Sequence, residues 1–297
     1  MPHVFVVIPS WNLKDDLIEC VTSLLKSTVH QLRVVVVDSA STDDTAEALD
    51  REFGRTVEVI LCEENLGFAH AVNEGIHFAT GSGADFVLIL NNDTIVDAQM
   101  IERLVEAMDQ YPNVGIAGPV IYYLEPADRV WRFGDRQLFG PPLSWKVSPS
   151  RLGSAPVKVD YITGCAMLVR KEVLEAIGEF DEDYLMYFED ADLCQRARSA
   201  GFEILVIPGA KLWHKVSLST RKAAPKRIYH QSRSRVIFLN RHSPHILWVL
   251  ANLYLWARLI LEVERNLFKG NISLIKYALQ GMLAGYTFLW QNWRQRH

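Results

Sequence analysis

The tetrad Asn91-Asn92-Asp93-Thr94 places two amides and a carboxylate directly after five apolar residues, Phe86–Leu90. Hard oxygen donors of this kind can hold a divalent cation together with the oxygens of a bound ligand. The same residue types also make an Asn/Asp turn closing a core strand, and the tip alone leaves both readings open. Further along, Glu189, Asp190 and Asp192 set three carboxylates within four positions at a predicted helix start. They suit dipole-favoured caps, or a general base taking a proton from an alcohol. On a helix Glu189 and Asp190 point about 100° apart, so they cannot flank one bond as paired glycosidase carboxylates do. His214 follows a strand-like run and opens a basic stretch. A lone histidine commonly packs as structure, but at that edge it also suits a metal-bound diphosphate.

Elements that could position these groups run through the first half. Val4–Pro9, Leu32–Asp38, Val57–Cys62, Phe86–Leu90 and Val114–Pro119 read as strands. Helix-like stretches at about 13–27, 43–53, 68–80 and 97–110 alternate with them. Ser41-Thr42-Asp43-Asp44 reads as a helix start with its capping residues. The rhythm predicts an α/β fold with a doubly wound, mostly parallel sheet flanked by helices. Four clusters then share one sheet edge: Pro9-Ser10-Trp11-Asn12, Asp38–Asp43, Glu64-Asn65-Leu66-Gly67-Phe68 with Asn73 beyond it, and Asn91-Asn92-Asp93. Ligands of open α/β sheets bind beyond the carboxyl ends of the strands, so the four converge on one crevice.

Residues 120–158 break the rhythm with five prolines and the aromatics Trp131, Phe133, Phe139 and Trp145. They read as a long irregular excursion with a hairpin, packed on the surface or bordering an acceptor cleft. A strand at Asp160–Arg170 flows into a helix at Lys171–Ile177, followed by a helix at about 190–200 and a strand at 203–207. From about 226 the pattern is helical to the end.

Charge divides the chain unevenly. Residues 1–203 hold 16 Lys and Arg against 33 Asp and Glu, whereas 204–261 contain ten basic residues and no acid. An anionic substrate or anionic lipid suits such a segment, and nucleic acid is not expected as a partner. Ile246–Ala257 is nearly all apolar but too short to span a bilayer before Arg258. The helix Ile272–Trp293 gathers its polar residues into a stripe of roughly 80°. Its broad apolar remainder suits a membrane interface, a dimer seam or packing on its own chain, and Gly281 and Gly285 add a GxxxG spacing for close helix contact. Four scattered cysteines and a start without a basic leader point to a reducing cytoplasm.

As an ordered set, IPSWN, VVDSASTDDT, ENLGFAHAVNEG, LILNNDT, TGCAMLVRKEVLEAIGEFDEDY, YFEDADLCQRARSAGF and Trp213-His214 resemble the inverting family 2 glycosyltransferases. The likeness covers about residues 3–242 and is nearest the bacterial rhamnosyltransferase-like branch. Ser234, in IYHQSRSRVIFLNRHSP, stands where that branch has Asn. The resemblance implies a GT-A fold, with a nucleotide-sugar-binding catalytic domain at 1–218 and a C-terminal helical region at 219–297. Pro9 and Asp38 would contact the base and ribose, and Asn65, Gly67 and Phe68 would shape the nucleotide pocket. Ser10, Asn73, Asn92 and Gly164 would join the donor-binding set, with Arg233, Lys215, Arg221 and Lys222 as basic residues able to close over the diphosphate. Asp93 would end the family's DXD motif and ligate Mg2+ or Mn2+ with His214, and Asn91 replaces the motif's first acid. Asp190 would be the catalytic base, while Glu189, Trp131 and Trp145 would face the acceptor.

The implied enzyme moves a sugar, L-rhamnose from dTDP-L-rhamnose by branch resemblance, to a glycan or lipid-linked acceptor. It would work at the cytoplasmic face of a membrane, with a homodimer as another use of the C-terminal helices. A sugar nucleotidyltransferase would show a Gly-rich turn after the first strand, which Pro9-Ser10-Trp11-Asn12 lacks. A non-catalytic nucleotide- or membrane-binding scaffold has no need of a base such as Asp190.

Overall fold

Apolar runs buried on both sides produce the central strands β1 (Val4–Ser10), β2 (Leu32–Asp38) and β4 (Phe86–Leu90), while the half-exposed β3 (Val57–Leu61) closes one edge. The computed structural model describes residues 2–137, 144–146, 153–216, 224–268 and 271–296. The further strands are β5 (Thr94–Val96), β6 (Val114–Tyr123), β7 (Val130–Arg132), β8 (Asp135–Gln137), β9 (Ser144–Lys146), β10 (Val157–Val159), β11 (Ala166–Arg170) and β12 (Glu203–His214). Helices α1 (Lys14–Leu24), α2 (Thr45–Phe53), α3 (Phe68–Gly81), α4 (Met100–Gln110), α5 (Lys171–Ile177) and α6 (Glu189–Ser199) alternate with them. Three more follow: α7 (Ala224–His242), α8 (Trp248–Phe268) and α9 (Ile272–Arg296). Over its described residues the chain divides into two units. The first is drawn from Met1–Arg136, Trp145–Glu182 and Asp190–Val216, the second from Gln137–Ser144, Asp183–Glu189 and Ser217–His297.

In the first unit the sheet runs β10-β12-β6-β11-β4-β1-β2-β3, with β5 added on β12 and β7 on β6. Strands β1 to β4 are mutually parallel where they pair, and β6 is parallel to β12. β11 runs antiparallel to both of its neighbours, β4 and β6. This inversion brings the start of β11, rather than another strand's end, to the carboxyl edge of β4. Alternate residues of β1 serve the two faces. Val4, Val6 and Ile8 join Leu17, Leu24, Leu104 and Met108, while Phe5 and Val7 join Val72, Ile76 and Ala197. Each such aliphatic burial stabilises by about 1.5–3 kcal/mol, and a slip of one residue would forfeit the whole set.

Three expectations need correcting. The strand from 203 does not stop at Pro208-Gly209; a bulge between Ile207 and Lys211 carries it on to His214. The helical tail breaks after His242, where Ser243-Pro244 interrupts it. No side-chain cap closes the start of α2; Asp44 sits there in the left-handed region. Ser41, Thr42 and Asp43 are engaged instead across the strand tips, as described below.

The second unit centres on Val236, Leu239, Leu255, Leu259, Ala278 and Met282. The glycine pair of α9 is used within the chain. A Cβ on Gly281 would lie 2.2 Å from the Tyr229 carbonyl oxygen, and one on Gly285 2.8 Å from that of Arg233. α7 also grips the segment 183–188, with Ser234 Oγ donating to the carbonyls of Tyr184 and Met186, both at 3.1 Å. Arg233 donates to the Asp183 carbonyl at 2.6 Å, and Arg241 pairs with the Asp183 carboxylate. These bonds hold Leu185, Tyr187 and Phe188 at positive φ, a conformation that surroundings must enforce on residues with a Cβ.

Candidate active site

The tips of β1 and β2 are locked together by side chains. Ser39 N donates to Ser10 O at 2.9 Å and Cys62 N to Asp38 O at 2.9 Å, continuing the ladder beyond the strands. The Asp38 carboxylate, buried at the end of β2, accepts from the Ser41 amide and hydroxyl. Asn12 N donates to Ser41 Oγ at 2.7 Å, and Thr42 N donates to Asn12 Oδ1 at 2.9 Å. Asp43 accepts from Lys14 N and from the Thr45 hydroxyl. Burial works against the Asp43 charge, but those two donors outweigh it and hold the carboxyl below its usual range. Pro9 and Ser10 stand in register with Val37 and Asp38. At the third tip, Asn65 Oδ1 accepts from Gly67 N at 3.0 Å, and Gly67 takes a φ of 102° that admits only glycine comfortably. That turn launches α3 at Phe68.

Asn92 reaches across to the first tip, its amide donating to Ser10 Oγ at 3.2 Å. Asp93 lies just before β5, which pairs antiparallel with the end of β12 in the register Thr94↔His214. Lys215 N closes that ladder by donating to Asp93 O at 3.0 Å. The side chains of Asp93 and His214, each 7% exposed, meet with Oδ1 2.9 Å from Nε2. Trp131 packs edge-on to the His214 ring at 4.5 Å between centroids, and the buried Nδ1 has no hydrogen-bond partner among the described residues. One anionic oxygen and one imidazole nitrogen thus stand together where a divalent cation could be held. Among the described residues no cluster of three or more His, Cys, Asp or Glu forms a complete cage. The donor set fits a hard cation that takes its remaining ligands from an anionic substrate and water.

A second group forms where β11 begins. Asp190, half-buried in the first turn of α6, accepts from the Tyr161 hydroxyl at 2.7 Å and from Gly164 N at 2.9 Å, both on Oδ2. Its Oδ1 accepts from Ala191 N at 2.8 Å. A Cβ on Gly164 would lie 3.4 Å from Asp190 Cβ and 3.6 Å from the Phe68 ring, so the three are packed together. Burial and the Asp190 carboxylate push the Tyr161 phenol well above its ordinary value, keeping it protonated and donating. Arg132 links the two groups, with its guanidinium carbon 6.0 Å from the ring centres of both Trp131 and Tyr161. Burial opposes its charge, but Tyr161, Asp135 and Asp190 outweigh that and hold it above its ordinary range. Cys165 is pushed far up by burial, and then by both Asp93 and Asp190, so it serves as a packed thiol rather than a nucleophile.

Other expected site residues have different surroundings. Asn73 is buried and fully engaged, accepting from Phe180 N at 3.0 Å and donating to Phe180 O and Glu182 Oε1, both at 2.9 Å. It staples the loop after α5 to α3, with both amide hydrogens engaged in the protein. Lys215 is paired with Asp16 and Glu19 rather than open to a phosphate. Arg233 is occupied in the second unit at Asp183 O and over the Phe288 ring. Glu189 is buried at the start of α6. Trp145 lies in β9 with its side chain outside the described set, and Arg221 and Lys222 also fall outside it. Sequence reasoning missed Tyr161 and Arg132, and gave Asn12 only as a member of the first strand-end cluster. Tyr161 stands three residues before Gly164 in the TGCAM motif, and Arg132 adjoins Trp131, so proximity to residues already singled out was the available signal.

Residues 5–178 match the profile described as glycosyl transferase family 2. The chain belongs to that family. It is a glycosyltransferase with a GT-A fold, and the nucleotidyltransferase and scaffold readings fall away. The "N-acetylglucosaminyl-diphospho-decaprenol L-rhamnosyltransferase" of Mycobacterium tuberculosis is 29% identical to this glycosyltransferase over 262 residues, covering 80% of this chain and 84% of its own. The "dTDP-rhamnosyl transferase RfbF" of Shigella flexneri is 26% identical over 284 residues, covering 89% and 90%. Among solved structures, the mannosyltransferase PcManGT of Pyrobaculum calidifontis, in complex with GDP-Man and Mn2+, aligns with a TM-score of 0.61 at 20% identity. That alignment covers 98% of this chain and 88% of that one. TarS of S. aureus, residues 1–349, in complex with UDP, aligns at 0.57 and 18% identity over 85% and 69%. At these identities the structural likeness speaks to the fold.

Proposed function

We propose that this glycosyltransferase moves L-rhamnose from dTDP-L-rhamnose to a hydroxyl of a glycan or lipid-linked acceptor, inverting the anomeric centre in a single displacement. Asp190 is the base, and its fixed setting is the observation that carries the reading. Tyr161, Gly164 and Ala191 occupy three of the roughly four acceptor positions of a carboxylate, leaving one on Oδ1 for an acceptor hydroxyl among the described residues. A single displacement needs one carboxylate base, the role Asp190 takes. Pro9, Ser10, Asp38, Asn65, Gly67 and Phe68 line the strand-end crevice and receive the nucleotide, with Asn92 and Gly164 toward the sugar diphosphate. Trp131, beside His214, lies toward the acceptor.

Asp93 and His214 hold Mg2+ or Mn2+, which when bound supplies stabilisation of the charge that builds on the departing diphosphate. The Mn2+ in the mannosyltransferase complex supports this, and the names of the two relatives support rhamnose and a polyprenyl-linked acceptor. Asp190→Asn is expected to keep dTDP affinity and lose about 10²–10⁴-fold in transfer, read as dTDP release. Near-normal transfer by that variant moves the base elsewhere. A panel of dTDP-, UDP- and GDP-sugars checks the donor, and preference for a sugar other than dTDP-rhamnose overturns that part.

A further inference from the structure

We infer that the exposed face of α8, with the adjoining stripe of α9, is an anionic-lipid docking surface on which the enzyme rests without crossing the bilayer. This deepens the lipid-linked-acceptor reading and rests on it for its use, though its support is independent. A helix packed on a soluble protein normally turns its polar side outward. α8 instead turns apolar residues both inward and outward. Its buried side is Leu255, Leu259 and Asn266, while Val249, Leu250, Leu253, Trp256, Ile260 and Leu261 stand outward. At 100° per residue these six cover an arc of roughly 140°. Leu250 is 60% exposed, and Phe268 at the helix end is 93% exposed. On α9, Ile272, Leu279, Leu283 and Trp290 line a further exposed apolar stripe. Isolated exposed apolar residues are ordinary, but contiguous arcs of this kind mark interaction sites.

Charge selects the occupant. Exposed Arg258 and Arg265 border the α8 arc, Lys276 and Arg294 border the α9 stripe, and residues 204–261 carry no carboxylate at all. Glu264, next to Arg265, is the one acid within the arc. An apolar face carrying tryptophans and edged by Lys and Arg suits the interface of an anionic bilayer. Among the described residues no helix is long and apolar enough to cross a membrane, so the arc lies in the plane of the surface. A second copy is the weaker occupant, because the close-packing glycines Gly281 and Gly285 are already filled by α7.

The test is co-sedimentation of the whole chain with vesicles of phosphatidylcholine alone or with about one third phosphatidylglycerol. The wild type should partition to the anionic vesicles and weaken with salt. The triple variant Leu253→Glu, Trp256→Glu, Ile260→Glu should lose partitioning about tenfold or more. All three positions are exposed, so an unchanged urea midpoint verifies folding. No binding by the wild type, or equal binding by the folded variant, overturns the inference. So does a wild-type dimer that the triple variant splits into monomers, which assigns the face to a second copy. Transfer to a water-soluble acceptor, measured in parallel, separates the two ideas. Loss of turnover with intact vesicle binding overturns the function, and the opposite result overturns only the surface.

Discussion

Asp93 is the one acid of its tip, since Asn91 and Asn92 contribute amides, and its carboxylate meets a nitrogen 121 positions away in the chain. A cation held by so few protein atoms depends on the substrate to complete its shell. Asp93→Ala is therefore expected to abolish the gain in dTDP affinity that Mn2+ gives, while leaving metal-free binding nearly unchanged; titration with and without Mn2+ reads this. An undiminished Mn2+ effect removes Asp93 from the ligand set. Tyr161→Phe deletes one donor to Asp190 without touching the strand tips. Its kcat is expected to fall about tenfold, the size of one hydrogen bond to a charged group, with dTDP affinity unchanged. At this scale the sequence showed which residue types could do chemistry, but not which were already engaged. Asn73 and Lys215 have the right chemistry, yet partners 107 and 199 positions away take up their polar atoms. Tyr161 went unseen for the same reason, its partner lying 29 positions on, beyond a strand and a helix.

Among the elements, the strands β1, β2 and β4 were the most legible, because burial on both faces demands unbroken apolar runs. β12 was least so: Pro208-Gly209 reads as a stop, and only a bulge lets the strand pass it. That continuation is what delivers His214, so the Asp93–His214 pair depends on a feature that local residue preference argues against. The opposite held for α7 and α9, where the glycine spacing spoke correctly of close contact but not of the partner. Gly281→Leu drives a side chain into the Tyr229 carbonyl, a backbone atom that cannot rotate away. The expected loss is about 1–3 kcal/mol, seen as a lower urea midpoint, whereas Gly153→Ala, at a site with nothing within 4 Å, should leave that midpoint unmoved.

Across the whole molecule, acids dominate residues 1–203 and bases the rest, so acidification acts differently on the two ends. Half-buried His230 is held below its ordinary value by burial, then by Arg233 and Lys226. The unfolded chain therefore binds this proton more readily than the folded one. The corresponding stability is present above about pH 6.5 and is lost as pH falls below it. His230→Gln should flatten that part of the curve of unfolding midpoint against pH. Order of synthesis adds a further consequence of the Asp93–His214 pairing. The tips of β1 to β4 leave the ribosome first, and at about 5–20 residues per second His214 follows Asp93 by some 6–24 s. During that interval β6 lacks β12, its partner on one edge, and Asp93 has no imidazole beside it. The nascent chain can thus form its strand-end crevice before it can assemble the Asp93–His214 pair, which the last strand of the sheet completes.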